Sequence, residues 1–304
     1  MSTKLERTIA RNDEKIAAGE FYDAHQGIRT VANRYVKQKA YNDAIEVLYK
    51  GAESLLKAKQ YASASDLVLY ILEVYTVAEI PVDSVSRNRI VSLIQLFDVH
   101  EPTLVKISND AETWSGKFGP VSSGDAILHN LFGTVFAKAD EGYEAEKNLL
   151  LGTKESAPIL GQLLFDWSAE SKDAPQDAPL FLSRGVLGYL GTENIRDATV
   201  CAQTFLNAFD VKHNPETNNV EAAGDTVITT YDAYPLFNFL QLLILACRSK
   251  NPETFKRLHT RYAQQLSQLP AWNPALEKIG HVYFGIVPKR QGNMLEDLMG
   301  SFFK

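Results

Sequence analysis

A local pattern recurs at an even spacing of 20 residues near the start of the chain: Phe21-x-x-Ala24, Tyr41-x-x-Ala44 and Tyr61-x-x-Ala64. Each copy follows a polar stretch able to turn the backbone, namely Ala18-Gly19-Glu20, Gln38-Lys39-Ala40 and Ala58-Lys59-Gln60. Between them the apolar residues follow helical periodicity, with very little Pro or Gly. A helix of roughly 17 residues plus a tight turn fills such a period, so successive helices return antiparallel and stack as hairpins. The aromatic near each helix start can wedge against its neighbour, and Ala one turn later allows close approach. The pattern points to an all-α helical-repeat solenoid, an architecture whose usual work is holding partners.

The remaining chain agrees. Helices are expected at 4–18, 21–37 and 61–78, where Leu67, Tyr70, Ile71, Val74, Tyr75 and Ala78 make a stripe broad enough to pack on two sides. Pro81 is expected to stop that helix, and Asp83-Ser84 to cap the next. Further helices are expected at 83–99, 102–115, 122–138, 140–151, 155–169, 179–190, 193–210, 235–248, 252–268 and 271–283. The polar, Pro-containing stretch Ser168 to Pro179 reads as a loop. Residues 211–234 break the rhythm: His213-Asn214-Pro215, Asn218-Asn219 and Ala223-Gly224-Asp225 suggest turns, and Thr226-Val-Ile-Thr-Thr-Tyr231 is β-branched. This insertion is a short β-hairpin lying across the helices or awaiting a partner, or else an ordered loop. After Pro288 a tail carries Met294-Leu-Glu-Asp-Leu-Met299 and Phe302-Phe303, a short docking helix or an exposed anchor.

Composition narrows the classes. The net charge is -6, yet residues 1–60 hold 11 Lys or Arg against 8 Asp or Glu, a balance of +3, which leaves -9 for the rest. The two ends can thus present different potentials to different partners. Basic Arg29, Arg34, Lys37 and Lys39 are mixed with acids, which argues against nucleic acid binding. The most apolar run, Leu236 to Cys247, spans 12 residues and includes Asn238 and Gln241, too short for a membrane span of roughly 20 residues. Cys201 and Cys247 form no close pair and read as reduced, buried thiols. With a charged amino terminus lacking a signal-peptide core, these features place the chain in the cytosol.

No reaction centre emerges. His25, His100, His129, His213, His259 and His281 include no paired ligand motif, and there is no nucleophile elbow, Walker loop or calcium loop. The glycines of Arg184-Gly-Val-Leu-Gly-Tyr-Leu-Gly191 suit close helix approach, without the strand context of a phosphate loop. No enzyme activity, cofactor or metal is expected. Asp66 and Glu73 draw attention instead. Seven residues apart on one helix, they lie on nearly the same face, and Glu73 interrupts an apolar sequence and must emerge at its edge. They form a solvated face or a patch for basic residues of a partner, with Lys15 and Lys37 on earlier helices as positive points.

The stretch Ala17-Ala-Gly-Glu-Phe-Tyr-Asp-Ala-His-Gln-Gly-Ile-Arg-Thr-Val-Ala-Asn-Arg-Tyr35 resembles the start of the Golgi-to-ER traffic protein four family, cytosolic adaptors of the guided-entry pathway for tail-anchored membrane proteins. The resemblance continues through Tyr41 to Tyr49 and Ala64 to Tyr75, and returns at Gly142 to Glu146, Phe181 to Tyr189, Leu236 to Leu243 and Tyr283 to Ile286; the form looks fungal. It implies a right-handed, tetratricopeptide-like solenoid of antiparallel helix pairs without catalytic activity, and a β-hairpin near 211–231. It implies that residues 1–150 bind a dimeric targeting ATPase, favour its closed form and restrain hydrolysis. Residues 151–304 would hold a ubiquitin-like-domain partner, so that the adaptor bridges a cochaperone carrying the tail anchor to the ATPase, without inserting in the membrane.

By position, Asp66 and Glu73 look like the family's acidic contacts to the ATPase, Lys15 and Lys37 like its basic ones, and Tyr22 is a further candidate in the pair Phe21-Tyr22. For the ubiquitin-like partner the candidates are Val227, Ile228, Tyr231, Leu236 and Phe237, the last two supporting the hairpin junction. The alternative is a helical-repeat subunit of another large assembly, such as a proteasome-lid-like complex.

Overall fold

The computed structural model describes residues 3–222 and 226–287 of the 304. The expected tail motifs beyond Pro288 and the turn at 223–225 lie outside the described residues. The chain is mostly helical, built from repeated antiparallel helix pairs of the tetratricopeptide-like kind with one small hairpin, and it divides into two compact units, Met1–Ser156 and Ala157–Lys304.

The first unit opens with α1 (Thr3–Ala17), α2 (Phe21–Lys37), α3 (Tyr41–Lys57) and α4 (Tyr61–Val77). The last three are each 17 residues long and start on the repeating aromatic. The turns share one backbone solution. Gly19, Lys39, Lys59 and Glu79 all take positive φ, at 82°, 57°, 58° and 53°. The next residue then reaches back five positions: Glu20 to Lys15, Ala40 to Tyr35, Gln60 to Leu55 and Ile80 to Tyr75, each N–H to carbonyl at 2.9 Å. This Schellman ending satisfies the last carbonyls of each helix. It also corrects one expectation, because the left-handed Glu79, and not Pro81, ends α4. Ala24, Ala44 and Ala64 are fully buried, and Gly51 brings α3 so close to α2 that a Cβ there would lie 2.5 Å from Ile28 Cδ1.

Next come α5 (Ser84–Ile94), α6 (Leu104–Phe118), α7 (Ala126–Lys138) and α8 (Gly142–Leu149). Asp83 caps α5 through the backbone N–H groups of Val85 and Ser86. That helix ends at Ile94, short of 99, because Leu96 and Phe97 bond back three residues and the tightened turn stacks Phe97 on Tyr61 at 6.2 Å. Helices two apart in sequence touch: α1, α3, α5 and α7 form one layer, and α2, α4 and α6 the other. Lys147 of α8 extends the second layer by pairing with Glu112 of α6 at 2.7 Å.

The second unit contains α9 (Ser156–Ala169), α10 (Ala178–Gly191), α11 (Ile195–His213), β1 (Thr217–Ala222), β2 (Thr226–Tyr231), α12 (Pro235–Ser249), α13 (Pro252–Arg261), α14 (Ala263–Ser267) and, after a single 3₁₀ turn at Pro270–Trp272, α15 (Asn273–Phe284). Gly185 admits the Cys201 sulfur, which would lie 2.6 Å from a Cβ there, so the close approach expected of this glycine stretch occurs at Gly185. Three boundaries differ from expectation. α11 runs on to His213, whose ring packs 4.7 Å from Phe209, and ends at left-handed Asn214 (φ 44°), whose N–H bonds Asp210 O. The helix expected over 252–268 breaks at Tyr262, which is buried against Phe239. The segment expected as a helix from 271 begins instead with the 3₁₀ turn. Cys201 and Cys247 are both buried thiols, and burial pushes the Cys247 thiol up to about 12.

Candidate protein-docking surfaces

In the first unit α2 and α4 are neighbours in one layer, and side chains lock their register. Asp66 is the hub. Its Oδ2 lies 2.8 Å from His25 Nε2, and its Oδ1 accepts from Nη1 of Arg29. One turn on, Tyr70 donates its hydroxyl to Asn33 at 2.6 Å, while the Arg29 guanidinium sits 5.4 Å over the Tyr70 ring. Burial alone would raise the Asp66 pKa, but the hydrogen bonds and charges of Arg29 and His25 outweigh it and hold the carboxyl below its ordinary value. Burial, reinforced by the charge of Glu73, raises the Tyr70 phenol.

Glu73 differs from Asp66. It is exposed and has no ion pair or hydrogen bond among the described residues. Partners 29–66 and 33–70 are both 37 apart, and the same step takes Glu73 back to Val36, beside Lys37. Asp66 and Glu73 line one groove of about 380 Å³ with Arg29, Tyr70, and Lys106, Asp110 and Thr113 of α6. The three other candidates lie outside its lining. Lys15 is half-buried on the last turn of α1, Tyr22 is 74% exposed at the start of α2, and Lys37 is exposed at its end. Fifteen helical steps separate Tyr22 from Lys37, about 22 Å along the axis. The sequence reading missed His25, Arg29 and the α6 face. His25 and Arg29 stand four apart on one helix face, but their partner emerges only once α2 and α4 are in register.

In the second unit the hairpin pairs Thr217 with Tyr231 through Ala222 with Thr226, antiparallel. Its second strand is latched to α12 by two amides. Asn238 accepts from Tyr231 N at 2.8 Å through Oδ1 and donates to Tyr231 O at 2.9 Å through Nδ2, while Gln241 donates to Thr229 O at 2.8 Å. These are the two polar residues inside the apolar run, and they give β2 a side-chain substitute for a third strand. Tyr231 then packs with Phe209, Tyr234 and Phe237 in one aromatic cluster. Of the five candidates here, Phe237 and Tyr231 are core, at 0% and 1% exposure, and Ile228 is nearly so at 9%; Leu236 is half-buried and Val227 is 59% exposed.

The hairpin borders two concavities. One, of about 1100 Å³, has a floor of Ile228, Leu242, Leu245 and Leu258 and a rim carrying Arg248, Lys256, Arg257 and Arg261, with Glu221 the acidic residue. The other, of about 270 Å³, lies between β2, α11 and α12 and contains Asp210.

A family model described as "Golgi to ER traffic protein 4" matches residues 38–303. The chain belongs to the Golgi to ER traffic protein 4 family. Its relatives in that family include Golgi to ER traffic protein 4 of Aspergillus fumigatus, 38% identical over 99% of this chain and 90% of that protein. The protein of the same name from Schizosaccharomyces pombe is 34% identical over 100% of this chain and 96% of the relative. The homolog from Takifugu rubripes is 28% identical over 98% of this chain and 88% of its own length. Among solved structures, the crystal structure of C. therm. Get4 superposes with a TM-score of 0.88 at 34% identity, over 99% of this chain and 96% of that one. Among the described residues, no group of three or more His, Cys, Asp or Glu could hold a metal ion, and no helix is long and apolar enough to cross a membrane.

Proposed function

We propose that the chain is a non-catalytic scaffold of the guided-entry pathway for tail-anchored proteins and works in the cytosol. It docks a dimeric targeting ATPase on its first unit and a ubiquitin-like-domain partner on its second. Membership of the Golgi to ER traffic protein 4 family supports the pathway. The observation that carries the ATPase contact is the groove beside Glu73, where an unpaired carboxylate stands on a helix whose opposite face is fully packed. Such a charge is free to pair with a basic residue of a partner without first breaking an ion pair of its own.

Asp66 takes a different part from the one its position suggests. Its carboxylate is committed to His25 and Arg29, so it positions the Arg29 guanidinium at the groove wall. Lys15, Tyr22 and Lys37 extend the contact beyond the groove. A rigid surface that meets both ATPase protomers best in the closed form shifts the population toward closure and slows hydrolysis without touching nucleotide. On the second unit, the apolar floor and basic rim beneath the hairpin suit an amphipathic segment with acidic residues. Ile228, in the floor, would meet that segment, while Tyr231 and Phe237 hold the hairpin in place and Val227 and Leu236 lie outside the lining of this concavity.

Calorimetric titration of the full chain with each partner tests the division. Glu73→Lys should weaken ATPase binding roughly tenfold and leave the ubiquitin-like partner's affinity unchanged. Shortening the hairpin between 217 and 231 should do the reverse. Equal losses at both partners for either variant would defeat the assignment.

A further inference from the structure

The larger concavity beneath the hairpin combines its apolar floor with cations on two different helices. Arg248 lies in the last turn of α12, and Lys256, Arg257 and Arg261 stand on α13. Arg248, Arg257 and Arg261 are exposed and make no ion pair among the described residues, while Lys256 is held by Glu253 at 2.8 Å. Leu242 and Leu245 of the floor are only half-buried. An occupant that matches both features carries an apolar stripe with an acid on either side of it.

This chain contains such a segment itself. Within 294–302, Met294, Leu295, Leu298, Met299 and Phe302 are apolar at helical spacing, Glu296 and Asp297 are acidic, and no residue is basic. In helical register, at about 100° per residue, the five apolar side chains share an arc of about 140°, and the two acids leave it on opposite flanks. The segment lies outside the described residues, but the point from which the chain sets out toward it does not. α15 closes on left-handed Gly285 (φ 65°), Ile286 N bonds back to Gly280 O at 3.1 Å, and the Phe284 ring stacks on Phe255 of α13 at 4.6 Å. Leu258, three residues beyond Phe255 on the same helix, belongs to the floor of the concavity, so the chain departs against the helix that forms one wall. The seven steps from Val287 to Met294 span up to about 23 Å, about twice the 10–12 Å diameter of the helix to be rounded.

We propose that residues 294–302 dock in this concavity as a short amphipathic helix, with the apolar stripe on Ile228, Leu242, Leu245 and Leu258 and the two acids toward the arginines of the rim. The tail is then a built-in competitor of the ubiquitin-like partner, a consequence that rests on the proposal that the second unit binds that partner here. The linker 288–293 has six residues. If it sets an effective concentration of about 1 mM, a tail with an affinity of about 0.1 mM weakens the partner roughly tenfold.

Two measurements on the full chain test it. Met294 and Met299 are two of its three methionines, so methyl-labelled methionine reports on the tail directly. With a nitroxide on Val220→Cys, a half-exposed position on the hairpin wall, both methyl signals should broaden, and adding the ubiquitin-like partner should sharpen them; Cys201 and Cys247 are buried. Glu296→Lys with Asp297→Lys, or Arg257→Glu, should each remove the broadening, and combining the three changes should restore part of it. Signals that stay sharp in the native tail would overturn the proposal. So would broadening reproduced by mixing nitroxide-bearing with methyl-labelled molecules, which would make the occupant a second copy's tail. In the second measurement, calorimetry, the chain with Glu296→Lys and Asp297→Lys should bind the ubiquitin-like partner roughly tenfold more tightly than the native chain, and an unchanged affinity would overturn the competition. If neither chain binds that partner, the parent reading falls, and the methyl measurement alone decides where the tail sits.

Discussion

Asn238→Ala isolates the latch between hairpin and helix. The change deletes both hydrogen bonds that Asn238 makes to Tyr231, at 2.8 and 2.9 Å, so the buried Tyr231 loses the acceptor of its N–H, while its carbonyl keeps the 3.2 Å bond from Tyr234 N. Each lost bond is worth about 1–1.5 kcal/mol, so the hairpin should lose about 2–3 kcal/mol of protection against local opening. That corresponds to amide exchange faster by roughly 30- to 150-fold at 227–231. Alanine is the better helix former by up to about 0.7 kcal/mol, so global stability should fall by less than the hairpin does. Gln241→Ala removes the single 2.8 Å bond to Thr229 and should accelerate the same amides only about fivefold to tenfold. Hydrogen exchange resolved by peptide, with α10 as internal reference, separates the two. Equal acceleration in both variants, or none at Tyr231, would refute the idea that these amides hold the strand.

Three further outcomes follow from the first unit. Gly51→Ala should destabilise by about 1–3 kcal/mol in urea unfolding, and Ile28→Val, which removes the clashing Cδ1, should recover part of it; simple additivity would refute the clash. Lys39→Gly and Lys59→Gly should each stabilise by about 0.5–1 kcal/mol, since both residues hold left-handed φ, and a lower melting temperature would count against a strained turn. Asp66→Asn should cost about 1 kcal/mol near neutral pH, discounted for its partial exposure. A carboxyl whose folded pKa is depressed stabilises the fold above its unfolded value near 4 and loses that contribution as pH falls through the folded value. The gap between native and variant should therefore close in acid, and a gap constant from pH 6 to pH 3 would exclude the ion pairs as its source.

The repeat was legible because it lives in local chemistry. Aromatic, alanine and turn positions recur at one spacing, and each helix obeys them without reference to distant residues. Asp66 and Glu73 could likewise be placed on one face from helical pitch alone. What could not be read was the difference between them, since Asp66 is neutralised by His25 and Arg29 from a helix 41 and 37 residues earlier. That pairing depends on how α2 and α4 slide along each other, which packing decides. The α6 wall of the groove was hidden for the same reason. Asn238 and Gln241 were visible as polar interruptions of an apolar run, but their meaning needed the strand beside them. Tyr262 broke a periodic helix because its ring is drawn into the core, a tertiary demand that overrides a continuous pattern.

The alternation of layers in the first unit restricts how such a chain can change length. Neighbours within a layer are two helices apart, so gain or loss of a single helix-plus-turn module would send every later helix to the opposite side and scramble which residues face the groove. Growth or trimming by two modules preserves sidedness. Natural variants of this scaffold should therefore differ by helical hairpins or by loop insertions, and an odd module should be tolerated only at an end.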